Sequence, residues 1–285
     1  MENVRNIMCV IAYDGSQFCG FATQDSKNHN LDSKKLQNIE SNLPSIQDFI
    51  TNTLKKIGIN THIIAAGRTD KDVHATFQVI NFYAYYNPKK KAKNLQISQL
   101  KPHKMPLEKM QKLLNEKLYP HIKIRKIYEV PPTFHARFCA KSRTYTYIFT
   151  KENLLPFYTN YIAKVKFGEI KKIKEALNAF VGVHDFSLFK KNGSETKDNI
   201  REIFSAKILT KKVYNLPCHI IQIRANGFLR SQVRMMLFAA FAYSLGKISL
   251  QNLQKQIDNK MDVNDRICVR ELAPACGLYL SKVEY

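Results

Sequence analysis

The order of strand-like and helix-like segments is the feature that most narrows what this 285-residue chain can fold into. Short apolar runs alternate with longer segments whose apolar residues recur at helical spacing. In the first half these segments are a strand at 7–12, a helix at 46–57, an apolar run at 63–66, a strand at 77–84, a helix at 107–118 and a strand at 122–127. This order is the split βαβ pattern, which belongs to the α+β class of folds.

A similar order of segments returns after Pro131 and Pro132. The predicted elements are a strand at 144–150, a helix at 170–180, strands at 203–209 and 219–225, a long helix at 228–245 and a strand at 277–283. The recurrence suggests a duplication, so we predict two halves, residues 1–130 and 131–285. Residues 24–44 and 87–104 are polar insertions, and we expect the first of them to be a mobile loop.

Charge narrows the class of partner. The chain has 45 Lys and Arg against 23 Asp and Glu, a net charge of +22. Such an excess favours a polyanion such as nucleic acid, because neutralised phosphates release condensed counterions. An anionic membrane surface is the main alternative, but it would require a basic amphipathic helix with a bulky apolar face, and none stands out. The longest apolar run, residues 235–243, is too short to span a bilayer, and we expect a soluble cytoplasmic protein.

The cysteines indicate neither a zinc site nor a disulfide framework. None of them forms a Cys-x-x-Cys pair, and they are spread along the whole chain at positions 9, 19, 139, 218, 268 and 276. We therefore expect reduced thiols. Glycine-rich loops of the kind that bind phosphates are also missing.

The segment Ala-Gly-Arg-Thr-Asp-Lys-Asp-Val-His-Ala at residues 66–75 places a carboxylate in a tight polar turn between two strands. Turns at strand ends are where rigid scaffolds present reactive side chains. An isolated Asp70 would more commonly be a turn or cap residue, and neighbouring Arg68 could form a weak surface ion pair. Alternatively, Asp70 is a nucleophile, which must be ionised and therefore needs a nearby cation such as arginine.

Two later segments, residues 137–147 and 226–236, contain aromatic and cationic candidates. Tyr145 and Tyr147 alternate along a strand and share a face, either in the core or stacked on an extruded base, and position alone does not choose between them. Arg230 and Arg234 are predicted one turn apart on the same side of an otherwise apolar helix. They are either solvated or directed into a carboxylate-bearing cleft. The last segment, residues 272–285, is predicted to be a turn and a strand with a packing role.

These four segments, in this order, resemble the TruA family of tRNA pseudouridine synthases. Further matching positions are Tyr13-Asp14-Gly15 with Phe18 and Gly20, and residues 182–186 with Phe189. The resemblance runs from about residue 10 to residue 283. Two positions depart from the family pattern: Asp72 stands where glycine is usual, and Phe21 stands where tryptophan is common. We expect Asp72 either to change the turn or to adopt a strained backbone dihedral angle.

The resemblance implies roles for individual residues. Asp70 would be the catalytic nucleophile, and Tyr145 would stack on the target base and is a candidate base for the C5 proton. Arg234 would pair with Asp70, and Arg68 would help to extrude the base and hold the RNA. Arg230 is a further candidate for substrate binding.

The resemblance also implies a fold and a reaction. We expect an α+β fold with two ferredoxin-like halves, whose antiparallel sheets join into one with a basic cleft between them. The first half would contain the catalytic aspartate, and the second would complete the cleft. The expected reaction is isomerisation of uridine to pseudouridine at positions 38, 39 and 40 of the tRNA anticodon stem-loop, by a homodimer without a cofactor, metal, membrane or DNA partner.

Two alternatives remain open at this point. One is a non-catalytic RNA-binding module, for which the basic charge and the tyrosines would suffice. The other is a pseudouridine synthase of the same fold with a different specificity, because the lysine-rich insertion could alter substrate choice. A methyltransferase or a nuclease is poorly supported, since the chain lacks a glycine-rich cofactor loop and clustered carboxylates for metal ions.

Overall fold

The computed structural model describes residues 5–22, 43–85, 101–191 and 198–285. Most of the two polar insertions predicted at 24–44 and 87–104 therefore lies outside the described residues. The described residues form a mixed α+β structure with five α-helices and mostly antiparallel strands, which confirms the predicted class. The chain divides into two compact units, residues 1–139 and 140–285. Among the described helices, none has the length and apolarity needed to cross a membrane.

Within its described residues, unit 1 contains four strands and two α-helices in the order predicted. They are β1 (Asn6–Tyr13), α1 (Ile46–Lys56), β2 (Ile64–Ala65), β3 (His74–Tyr83), α2 (Leu107–Leu118) and β4 (Ile122–Val130). Strand β1 is central and pairs antiparallel with both β3 and β4, while β2 pairs with β3. Nearly every residue of β1 is buried, which explains why its sequence is a continuous apolar run.

The boundaries of α1 follow from its capping residues. Ser45 Oγ accepts a hydrogen bond from the backbone N–H of Asp48 (2.9 Å) and donates one to the Asp48 carboxylate (2.7 Å). Ser45 is therefore the N-cap of the helix, which confirms the predicted start of the helix. Gly58 follows the helix with φ +86°, a conformation that glycine adopts without steric cost.

The segment after β4 is attached to unit 1 through two buried asparagines. Asn6 Nδ2 donates to the backbone oxygens of Pro131 and Phe134 (both 3.0 Å), and Asn81 Oδ1 accepts from the backbone N–H of Ala136 (2.9 Å). Both asparagine side chains are fully buried. Residues 131–139 consequently belong to unit 1, whereas the limit drawn from the sequence lies before them, at residue 130.

The part of unit 2 that the structure describes has six strands and three α-helices. They are β5 (Ser142–Thr150), β6 (Ala163–Lys164), α3 (Ile170–Ala179), β7 (Gly182–Asp185), β8 (Ile200–Val213), β9 (Leu216–Ala225), α4 (Gln232–Ser244), α5 (Leu250–Ile257) and β10 (Leu278–Glu284). The strand order is β10-β5-β9-β8-β7, antiparallel throughout, with β6 parallel to β5. The sequence analysis made no prediction for β6, β7 or α5.

Strands β8 and β9 extend beyond their predicted limits because they form one long hairpin. Their pairing continues to Val213 and Leu216, and a two-residue turn, Tyr214-Asn215, connects them. Both turn residues have positive φ, 50° and 63°, as a tight turn of matching twist requires.

Helix α4 begins later than predicted, at Gln232 instead of residue 228. The preceding Ser231 has φ +59°, which is incompatible with a right-handed helix. The Gln232 side-chain oxygen accepts a hydrogen bond from the backbone N–H of Leu229 (2.8 Å). Arg230 therefore precedes the helix. The prediction that Arg230 and Arg234 lie one helical turn apart on the same side is wrong.

Candidate active site

Asp70 lies on the turn between β2 and β3, and buried side chains hold the backbone of this turn. Gln78, fully buried on β3, donates from Nε2 to the backbone oxygen of Gly67 (2.7 Å). The Tyr13 hydroxyl shares a hydrogen bond of 2.8 Å with Thr69 Oγ1, and both residues are buried. Asp70 itself is half-buried. The residues on its N-terminal side are thus fixed, and its carboxyl group is not sequestered from solvent.

The turn is also closed by backbone hydrogen bonds. The Phe21 N–H donates to the Thr69 oxygen (3.0 Å), and the Val73 N–H donates to the Asp70 oxygen (3.2 Å). Buried backbone groups that are satisfied in this way give the turn a single well-defined conformation. Asp70 is therefore presented by a rigid loop.

Two glycines allow the segment after β1 to approach the turn closely. A Cβ atom on Gly15 would lie 2.1 Å from the Val73 backbone oxygen, and the Gly15 N–H donates to His74 Nδ1 at 3.1 Å. Gly20 has φ +120°, and a Cβ there would lie 3.4 Å from the Thr69 oxygen. The segment around Tyr13-Asp14-Gly15, which supported the family resemblance, therefore braces the turn that contains Asp70.

The Tyr13 hydroxyl is chemically suited to a structural role. Burial raises its pKa, an effect that hydrogen bonds with Thr69 and Gln78 oppose. The phenol therefore stays neutral at physiological pH and can act as both donor and acceptor. Sequence reasoning assigned no role to Tyr13 or Gln78; the only signal was the Tyr-Asp-Gly segment itself.

Asp72 adopts a backbone conformation that glycine occupies readily. Its φ is +64°, in the left-handed region that L-residues other than asparagine and aspartate rarely occupy. The expected strained dihedral is thus present. Since the Val73-to-Asp70 hydrogen bond is formed, the aspartate is accommodated within a closed turn.

The structure separates the two tyrosines that the sequence left equivalent. Tyr147 is buried in the core of unit 2, with its ring 6.2 Å from that of Phe241 on α4. Tyr145 is half-buried, and its ring meets Phe228 edge-on at 5.2 Å. Tyr145 is therefore the residue of the two that can present an aromatic face to a ligand. The supporting residue Phe228 was missed by sequence reasoning.

The hydroxyl group of Tyr147 is buried and has no hydrogen-bond partner within the described part of the chain. Burial raises its pKa well above the usual value; Cys276 adds to this effect and Arg234 opposes it. A neutral phenol in the core is consistent with a packing role for Tyr147.

Arg234 is half-buried near the start of α4, and the C-terminal segment fixes it. Its Nε donates to the Ala273 oxygen (2.8 Å), and its own backbone oxygen accepts the Ala273 N–H (3.1 Å). The segment 272–285, predicted to have only a packing role, therefore also orients the Arg234 guanidinium group. Arg68 and Arg230 are both exposed, as expected of groups that contact a polyanion.

The predicted site residues are divided between the two units. Asp70 and Arg68 belong to unit 1, and Tyr145, Arg230 and Arg234 belong to unit 2. Within the described ranges, no group of three or more His, Cys, Asp or Glu side chains is placed to hold a metal ion.

Comparison with known proteins gives the family. A family model described as tRNA pseudouridine synthase matches residues 9–139 and 176–285. The tRNA pseudouridine synthase A of Helicobacter hepaticus is 40% identical over 276 residues, 97% of each chain. That of Helicobacter pylori (strain P12) is 37% identical over 282 residues, covering 99% of this chain and all of the relative.

The chain therefore belongs to the tRNA pseudouridine synthase family, and the resemblance to TruA is confirmed. It is an enzyme of the isomerase class that converts uridine to pseudouridine, as predicted. This excludes the alternative of a non-catalytic RNA-binding module.

Proposed function

We propose that this enzyme acts on tRNA and isomerises uridine at positions 38, 39 and 40 of the anticodon stem-loop, with Asp70 as the nucleophile. The observation that carries the proposal is the bracing of the Asp70 turn by buried Gln78 and Tyr13. A surface turn with no chemical role does not need two buried polar side chains, one bonded to its backbone and one to its Thr69 hydroxyl, since burying such groups is costly unless they are hydrogen-bonded. The printed names of the curated relatives support tRNA as the substrate.

The proposed reaction proceeds in four steps. The Asp70 carboxylate attacks the nucleoside, and the bond between C1′ and N1 of uridine breaks. The released uracil rotates within the site, and a new bond forms between C1′ and C5 while the bond between Asp70 and the nucleoside breaks, which restores the free carboxylate. The proton on C5 then leaves, with Tyr145 as the candidate base, and N1 gains a proton. No step requires an oxidant or a reductant.

The remaining candidate residues position the substrate. The ring of Tyr145, which Phe228 supports edge-on, would stack on the extruded uracil. Arg234, oriented by Ala273, would pair with Asp70 and stabilise its charge. Exposed Arg68 and Arg230 would contact the RNA, with Arg68 also helping to extrude the base.

The proposal includes the architecture expected from the sequence. Unit 1 has the order β1-α1-β2-β3-α2-β4, which supports a ferredoxin-like half. We propose that the two halves join their sheets and enclose a basic cleft, with Asp70 from the first half and Tyr145 and Arg234 from the second. We further propose a homodimer that works in the cytoplasm, where tRNA is its substrate.

The decisive test is release of tritium from tRNA labelled at uridine C5. Asp70→Asn should lower the release rate at least about 10³-fold, because it removes the nucleophile, while tRNA affinity is retained. Asp72→Asn is the matched control, since it removes the other carboxylate of the same turn and should release label at the rate of the unmodified enzyme. Equal rates for Asp70→Asn and the unmodified enzyme would refute the assignment.

The positional specificity needs a separate measurement. Pseudouridines are mapped in tRNA from a strain lacking the gene, with and without the gene restored. Restoration should return pseudouridine at positions 38, 39 and 40. Restoration at other positions, or in other RNAs, would leave the family assignment intact and replace the proposed specificity.

A further inference from the structure

A group of exposed aromatic residues lies at one end of unit 2. Tyr214 occupies the turn of the β8–β9 hairpin, and Phe157 and Tyr158 lie in the short 3₁₀ turn after β5. The rings of Tyr158 and Tyr214 stack with centroids 5.0 Å apart and planes at 10°, and Phe157 meets Tyr158 edge-on at 4.5 Å. Phe157 is 63% exposed and Tyr214 is 73% exposed. These three residues are called the aromatic ledge below.

The ledge is held in place by the strands that lead to it. Thr150 Oγ1, at the end of β5, donates to the backbone oxygen of Pro217 at the start of β9 (2.8 Å). This bond ties the segment containing Phe157 and Tyr158 to the hairpin that ends in Tyr214. Large aromatic rings exposed on a fixed support favour an interaction surface over a surface that only meets solvent.

The ledge is distinct from the proposed catalytic residues. Tyr145 and Thr150 are separated by five positions on β5, which is roughly 17 Å along an extended strand. The ledge lies beyond Thr150, at the end of β5 remote from Tyr145. Anything that binds the ledge therefore contacts the enzyme well away from the base that Tyr145 would stack on.

The charge around the ledge indicates the chemistry of its partner. The two segments that form it, residues 151–164 and 211–216, contain four lysines and one glutamate. All five of these side chains are exposed: Lys151, Glu152, Lys164, Lys211 and Lys212. Aromatic faces combined with flanking cations are the features by which proteins bind unpaired nucleotides, since bases stack on the rings and phosphates pair with the lysines.

We propose that the aromatic ledge binds unpaired nucleotides of the tRNA at a place remote from the target uridine. The inference rests on the proposed function in taking tRNA as the bound RNA. A second copy of the chain is the less suitable partner, because a symmetric interface would set this positive surface against itself.

The test uses the double variant Phe157→Ser/Tyr214→Asn in the full chain. Asparagine is chosen at 214 because it tolerates the positive φ of the turn, so only the ring is lost. The dissociation constant for full-length tRNA should rise at least about fivefold, since each lost stack has an effect of that order. Turnover at saturating tRNA and affinity for a short stem-loop carrying the target uridine should not change.

Three controls make the result specific. Tyr214→Phe keeps the ring and should bind tRNA normally. Tyr128→Thr removes an exposed tyrosine from β4 of unit 1 and should also have no effect. Lys211→Gln/Lys212→Gln should lower the slope of log affinity against log salt by about one per lysine, whereas Lys171→Gln/Lys174→Gln on α3 should not.

Unchanged affinity of a folded Phe157→Ser/Tyr214→Asn variant for full-length tRNA would overturn the proposal. A smaller molecular mass in light scattering with unchanged tRNA affinity would also overturn it and assign the ledge to a second copy. Asp70→Asn is measured both in this binding assay and for turnover. If Asp70→Asn retains turnover, the assignment of the nucleophile is wrong. The proposal for the aromatic ledge is tested by the tRNA affinities alone, whatever the result for Asp70→Asn.

Discussion

The two segments that contain the proposed nucleophile and its arginine partner are stabilised in different ways. The turn at residues 66–73 is held by side chains from other elements: Gln78 donates to the Gly67 backbone oxygen, and Tyr13 shares a hydrogen bond with the Thr69 hydroxyl. The segment at 226–234 is held partly by its own Gln232 and mostly by backbone groups of other elements, those of Glu202, Lys191 and Ala273, with one bond from the Arg143 side chain to the Asn226 oxygen. Each segment nevertheless contains one non-glycine residue with positive φ, Asp72 and Ser231 respectively. Both reactive groups are therefore carried on backbone that depends on its surroundings for its conformation.

This difference predicts which substitutions affect chemistry and which affect only binding. A side chain that fixes a reactive group should change turnover when it is removed, whereas an exposed cation should change only affinity for tRNA. The largest contrast is expected between two arginines of the second segment: half-buried Arg234, which donates to the Ala273 oxygen, and exposed Arg230.

If Arg234 pairs with Asp70 as proposed, Arg234→Ala should lower turnover about 10²-fold or more with little change in tRNA affinity, because it removes a preorganised charge beside the nucleophile. Arg230→Ala, four residues away and exposed, should weaken tRNA binding and leave turnover at saturating tRNA unchanged. Steady-state kinetics on one tRNA gives both numbers. Weakened binding with normal turnover in Arg234→Ala would make this residue a phosphate contact, and the two arginines would no longer differ.

Tyr13→Phe tests the first segment. It leaves the buried Thr69 hydroxyl without its partner, so stability should fall by about 1 kcal/mol, and turnover should fall because the turn carrying Asp70 loses a brace. We expect a turnover loss of about tenfold with unchanged KM. This corresponds to an increase of about 1.4 kcal/mol in the activation free energy, which a small displacement of the reacting group can produce.

Tyr83→Phe is the control for this prediction. The Tyr83 hydroxyl donates to the Pro132 backbone oxygen (3.1 Å), so the same atom is lost from the same unit at a distance from the turn in sequence. Its stability should fall by a similar amount, and its turnover should not. Thr69→Ser keeps the hydroxyl and should preserve turnover. Equal turnover losses for Tyr13→Phe and Tyr83→Phe would mean that general destabilisation, not the brace, explains the effect.

Element order was predictable from the sequence, whereas several contacts at the site were not. The cap at Ser45 and the apolar run of β1 define local structure through nearest-neighbour chemistry, and both were correctly predicted. The start of α4 was placed too early because the apolar periodicity runs on through residues that Ser231 prevents from being helical. The link between Arg234 and Ala273 joins positions far apart in sequence, and no local pattern reports such a pairing.

The two tyrosines illustrate the same limit at the site. Alternation along β5 places Tyr145 and Tyr147 on one face, and only the packing of α4 against Tyr147 buries one and leaves the other accessible. The choice of Tyr145 came from the family resemblance, and the packing now gives it a physical reason. Phe228, which supports the Tyr145 ring, lies in the loop after β9, a segment that was predicted from the sequence to be helical.

The smallest expected effect concerns Asp72, where conformation and charge can be separated. Asp72→Gly should raise stability by at most about 1 kcal/mol, because glycine adopts φ +64° without the steric cost that a side chain incurs, although it loses more entropy on folding. Asp72→Ala should lower stability, since alanine tolerates φ +64° less well than aspartate does. Thermal unfolding of the three proteins gives the order. If Asp72→Gly instead lowers turnover, and Asp72→Asn does so equally, the carboxylate itself takes part in the reaction, and the turn would present two functional acids instead of one.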